Sequence, residues 1–165
     1  MITCALKGLR PIAFRLEHGE NLNTALEDFV VTSGVGFAYL PGMVGQFDEV
    51  ELGFFDPESG LYTFRKLPRP QSEDEKPNSR LEPTVISANV SWSGHQPFAH
   101  VHGGFASGFS DHGGRFVGGG HISRAVVGRT AEGVLFVTDD ITVVRVMDLD
   151  PDCRVRVWHF EARRS

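Results

Sequence analysis

Ten short runs of β-branched and aromatic residues, broken by glycine- and proline-bearing turns, recur along this chain, and one segment departs from their pattern. Such runs read as strands, and 19 glycines in 165 residues supply the turns between them. The runs are Pro11–Glu17, Val35–Leu40, Glu49–Phe55, Leu61–Lys66, Thr84–Trp92, Phe98–Phe105, Arg115–Ser123, Gly133–Thr138, Thr142–Met147 and Arg154–Phe160. Turn dipeptides are read at Pro41-Gly42, Ser59-Gly60, Ser93-Gly94 and Glu132-Gly133. The departure begins at Glu20, where Leu22, Ala25, Leu26, Phe29 and Val30 fall on one helical face. Asn21 is placed to cap that helix and Gly34 to stop it. The expected fold class is therefore α+β, a mainly antiparallel sheet with one long helix packed on it.

The length fits a single domain, 1–165. Pro68, Pro70, Pro77 and Pro83 stand among charged residues, so 67–83 reads as a long surface loop rather than a strand. Residues 141–165 read as a C-terminal strand extension, with Val155-Arg156-Val157-Trp158 alternating as an edge strand with Arg154 and Arg156 outward. No apolar window is long enough to span a bilayer. The N-terminal residues are too few and too mixed for a secretory signal, so a cytoplasmic location is expected. Cys4 and Cys153 match neither a disulfide framework nor a metal spacing. The net charge of −5 disfavours phosphate gripping, which needs a concentrated positive surface.

Three histidines carry the functional signal. In Phe98-Ala99-His100-Val101-His102-Gly103-Gly104-Phe105, His100 and His102 are two apart and share a face. A turn centred on Asp111-His112 makes opposing residues sum to 223, which sets His102 directly across from His121. Directly opposed Cβ atoms lie about 4.5–5.5 Å apart, so three imidazoles come within reach of one ion. Shifting the turn to His112-Gly113 moves His121 opposite Gly104, still on the same face. The adjoining Gly118-Gly119-Gly120 permits bulges or close approach of a ligand. Three imidazoles suit zinc or another borderline divalent metal and leave a coordination position open. His18, His95 and His159 read as surface or packing residues, and His112 as a turn residue. A cupin site would add a downstream glutamate, but Phe105, Ala106, Ser107 and Gly108 stand there.

Four segments in order make the chain resemble the plant and prokaryote conserved (PPC) domain family over about residues 10–140. They are Phe14-Arg15-Leu16-Glu17-His18-Gly19-Glu20-Asn21-Leu22, Ile86-Ser87-Ala88-Asn89-Val90-Ser91, His100-Val101-His102 and Gly119-Gly120-His121-Ile122. The resemblance implies a homotrimer of helix-backed sheets, with a zinc ion carried over to His100, His102 and His121. Plant members of the family bind DNA through an R-G-R-P core. Here Gly8-Leu9-Arg10-Pro11 and Leu67-Pro68-Arg69-Pro70 depart from it. The plant G-R-F-E-I-L partner segment corresponds to Ser79-Arg80-Leu81-Glu82-Pro83-Thr84, which keeps only the Arg and Glu.

The sequence presents no nucleophile–base set. The expected function is a trimeric, metal-binding regulatory module, with a small ligand at the histidine face. The alternatives are a DNA-binding protein of the family, or a three-His metalloenzyme of hydrolase or lyase type. An enzyme would need a carboxylate base beside a metal-bound water; Glu17, Glu20 and Asp111 qualify by residue type alone.

Overall fold

The computed structural model describes residue 6 and residues 8–67, 81–110, 113–149 and 156–164. These residues form nine strands and one helix, in the order β1 (Arg10–Glu17), α1 (Leu22–Ser33), β2 (Phe37–Leu40), β3 (Met43–Asp56), β4 (Leu61–Leu67), β5 (Leu81–Ser93), β6 (Gln96–Ser110), β7 (Gly113–Thr138), β8 (Ile141–Leu149) and β9 (Arg156–Arg164). The strands form one sheet of order β4-β3-β7-β2-β5-β8-β9, with β1 on β7 and β6 between β5 and β7. Among the described residues every ladder is antiparallel except a single parallel pairing, Trp92 with Val144, that joins β8 to β5.

The helix begins and ends where its capping residues dictate. Asn21 Oδ1 accepts the backbone N–H of Asn23 and also that of Ala125 in β7, so one side chain caps the helix and ties it to the sheet. Gly34 stops the helix in the left-handed region at φ 66°. The element is 12 residues, three turns, and corrects the expectation of a long helix. Leu22, Leu26 and Val30 are buried along one stripe, each contributing about 1.5–3 kcal/mol by removal from water. The stripe faces Ala88, Val90, Ala99, Val101 and Ile122, the inward positions of β5, β6 and β7.

Three readings of the strands are corrected. The segments read as Arg115–Ser123 and Gly133–Thr138 are parts of one 26-residue strand, β7. Glu132-Gly133 is accordingly no turn: Gly133 pairs with Phe14 and Met43 inside the ladders. A Cβ there would meet the Phe14 ring at 2.9 Å, so the glycine serves close packing. β3 begins six residues earlier than the run at Glu49, carried past Gly45 and Asp48 by register shifts. The segment 67–83 starts and finishes in strand, since Leu67 ends β4 and Leu81 opens β5; residues 68–80 lie outside those described. Cys4, His112, Cys153 and Arg154 also lie outside them. β9 stands at the end of the strand order. Among the described residues, no helix is long and apolar enough to cross a membrane.

Candidate metal centre

The β6–β7 ladder pairs His102 with His121, Gly103 with Gly120 and Gly104 with Gly119. This is the 223 register, and it brings all three histidines together. On the other side of β6, Asn89 pairs with His100 and Ser87 with His102. The alternate residues Ala88, Val90, Ala99 and Val101 are buried, so the histidines occupy the sheet face opposite the helix. Ring centroids are 4.8 Å apart for His100–His102, 5.2 Å for His100–His121 and 5.3 Å for His102–His121. One ligand nitrogen from each ring falls within 4.8 Å of the others.

The site holds its imidazoles neutral. Burial, with Arg145 and the other two histidines adding repulsion, pushes the His100 ring down to about 4. Burial also lowers His102, and burial with His102 and Arg145 lowers His121. Both unprotonated nitrogens and a shared focus are what a divalent metal requires.

Three local features fit an ion at this focus. Zn–N bonds of about 2.0–2.1 Å in tetrahedral geometry set ligand nitrogens about 3.3 Å apart. His102 Nε2 and His100 Nε2 already stand 3.0 Å from each other. The widest separation in the set, at most 4.8 Å, closes by on the order of 1.5 Å through small side-chain rotations. In addition, His121 Nδ1 is buried without a hydrogen-bond partner, a deficit of about 1–3 kcal/mol that ligation at that atom would relieve.

A cleft of about 490 Å³ opens beside His102, lined by Ser87, Gly103, Gly104, Gly119 and Gly120 among others. A Cβ on Gly119 would stand 2.8 Å from the Gly103 carbonyl oxygen, so the glycine lets the two backbones approach at the cleft floor. On the other flank, Tyr62 of β4 lies 5.8 Å from the His121 ring.

No carboxylate of the described residues joins the three histidines. Glu17 pairs with Arg15 and takes the Glu20 carboxylate on its backbone N–H. The Glu20 carbonyl accepts from Val127, six residues along β7 from His121, which is about 20 Å of strand. Asp111 lies outside the described residues. His18 is turned to the Gly128 carbonyl, and His95 is exposed.

Sequence reasoning missed Arg145. This β8 residue is only 5% exposed. Its Nε donates to Ser91 Oγ at 2.8 Å and its Nη2 to Asn89 Oδ1 at 2.8 Å. The guanidinium also lies 4.9 Å over the Phe98 ring. The available signal was a lone cation inside the β-branched run Ile141-Thr142-Val143-Val144-Arg145-Val146.

The Plants and Prokaryotes Conserved (PCC) domain matches residues 5–139. Among solved structures, a metal-containing protein from Archaeoglobus fulgidus has a TM-score of 0.72 at 23% identity, over 96% of this chain and 99% of its own. A plant- and prokaryote-conserved (PPC) protein from Pyrococcus horikoshii has the same score, 0.72 at 23% identity, over 96% and 97%. A candidate DNA-binding protein from Ralstonia eutropha JMP134 has a TM-score of 0.66 at 19% identity, over 90% of each chain. These likenesses establish the fold. No curated protein matches the sequence.

Proposed function

This chain belongs to the Plants and Prokaryotes Conserved domain family, and from that premise we propose that it is a homotrimeric regulatory or ligand-binding module built around a zinc ion on His100, His102 and His121. The observation that carries the reading is the convergence of three neutral imidazoles within 4.8 Å on a paired hairpin. The metal-containing Archaeoglobus relative supports it. Zinc is the natural choice for an all-imidazole set, and three protein ligands leave a fourth position where water exchanges for a ligand atom. With no carboxylate among the described residues at the cluster, a binding role is favoured over hydrolysis or elimination, which need a general base. Cytoplasmic residence agrees with two cysteines whose spacing matches no disulfide framework.

The trimer is supported by apolar surface beside the site. Phe55, Tyr62 and Phe64 of the β3–β4 hairpin are each at least 40% exposed, share the His121 face of the ladders and meet one another through the Tyr62 ring. A contiguous patch of this kind marks an association surface.

Zinc titration of purified protein together with its mass in solution tests the proposal. One ion per chain in a particle of three chains is the expected result, and a metal-free monomer at excess zinc overturns it. DNA binding is the second reading, favoured by the Ralstonia relative's name and opposed by the net charge of −5. A duplex that is not shifted at about 50 mM salt, where phosphate contacts are strongest, excludes it.

A further inference from the structure

The helix reaches the histidine strands from behind the sheet. Asn23 and Glu27 are neighbours on one face of α1, one turn apart beside the buried stripe of Leu22, Leu26 and Val30. Asn23 Nδ2 donates to the Ile122 carbonyl at 3.0 Å, and Glu27 Oε1 accepts the Ala99 backbone N–H at 2.9 Å. Ile122 follows His121 on β7, and Ala99 precedes His100 on β6. The two contacts therefore grip the backbone next to two of the three histidines, on different strands.

The place of these contacts is specific. The β6–β7 register ends with Val101 opposite Ile122, so no pair of that ladder holds Ala99 or His100. The β3–β7 register also shifts here, between Glu51 and Leu52. The ladder itself fixes His102 against His121, whereas the spacing of His100 from His121 depends on what anchors the strands past its end. Glu27 takes a β6 N–H beyond that end, and Asn23 takes the carbonyl of the last paired β7 residue. Stability alone does not account for Asn23. It is 9% exposed, and its Oδ1 is buried without a hydrogen-bond partner, a deficit that an apolar side chain of similar size avoids. Glu27 makes a charge-assisted bond, stronger than a neutral one and directional. Such ties matter at a metal site, where ligand atoms must be held to within about 0.5 Å by the residues behind them.

We infer that Asn23 and Glu27 are positioning residues of the metal centre, which fix His100 against His121 by clamping the β6 and β7 backbones from the helix. The inference rests on the metal reading of His100, His102 and His121, and goes beyond it by naming what sets the geometry of the site.

Cobalt(II) titration of the full chain tests it. The visible spectrum reports coordination geometry, and urea unfolding of the metal-free protein reports stability separately. Asn23→Leu removes the donor and fills its space with apolar atoms. Glu27→Met removes the acceptor, and Glu27→Gln restores an accepting oxygen. Asn23→Leu and Glu27→Met should each weaken cobalt binding about tenfold and alter the spectrum of the loaded protein. Glu27→Gln should keep the wild-type affinity and spectrum. The Glu27 pair decides the matter even if Asn23→Leu fails to fold. A merely structural role would shift the unfolding midpoint and leave affinity and spectrum as in wild type; that result in the folded variants overturns the inference alone. Equal loss in Glu27→Gln and Glu27→Met also overturns it, because the accepting oxygen would then not be what counts. A wild type that takes up no cobalt overturns the metal reading and the inference together.

Discussion

Removing the metal and lowering the pH should destabilise this fold through its histidine face. In the folded, metal-free chain His100 protonates at about 4, against 6.5 for an unperturbed ring. Between those values the unfolded chain binds a proton that the folded chain refuses, so stability falls as the pH falls. The loss begins near 6.5, grows through the window and levels off near 4, where the folded ring also protonates. The full shift corresponds to about 3.4 kcal/mol. His100 is half-buried, and solvent screening reduces its share to about 1–2 kcal/mol. His102 and His121 shift in the same direction and add with the same sign. The assay is urea unfolding of chelator-treated protein across pH 7.5 to 4, compared with His100→Asn, whose amide does not titrate. The difference between the two curves should narrow by about 1–2 kcal/mol as the pH falls. Parallel curves would show that the fold does not hold His100 neutral, and the idea of a preformed ligand set would fail with it. Adding zinc to the wild type should raise stability and make its pH dependence steeper, because protons then compete with the ion.

Other expected outcomes are local. Gly36→Ala should cost about 1–3 kcal/mol in denaturant unfolding, since its Cβ would press on the Ile141 carbonyl and the Thr142 backbone of β8. Asn21→Ala should cost about 1–2 kcal/mol, because it removes the acceptor for both Asn23 and Ala125. Unchanged unfolding midpoints would refute either argument. Tyr62→Ser combined with Phe64→Ser, at two exposed positions of the β3–β4 hairpin, should lower the particle mass measured by light scattering; an unchanged mass places the subunit contact elsewhere.

The parts of the fold that were readable in the sequence are those where one local rule decides. Strand period two and a single turn position place His102 across from His121, and the structure keeps that register. Asn21 and Gly34 bound a helix by side-chain capping and by left-handed backbone, and both do so here. What escaped the sequence depends on distant partners. Nothing local tells Gly133 that the Phe14 ring will lie over it, so a glycine at a strand interior read as a turn. β7 runs for 26 residues because it trades partners from β6 and β3 to β1 and β2 along its length, a pattern with no period of its own. Arg145 reaches the site only because one parallel pairing, Trp92 with Val144, lays β8 against β5. The hairpin and the convergence of its three histidines were therefore legible, whereas the cation beside them was set by topology.

The most direct test of the central claim is the metal content of the purified full chain, measured beside His102→Ala after equal exposure to zinc and removal of loose ion. The three-histidine focus predicts about one zinc per chain in the wild type and almost none in the variant, because two imidazoles alone hold the ion far more weakly. A wild type without stoichiometric zinc, or a variant that retains it in full, contradicts the account.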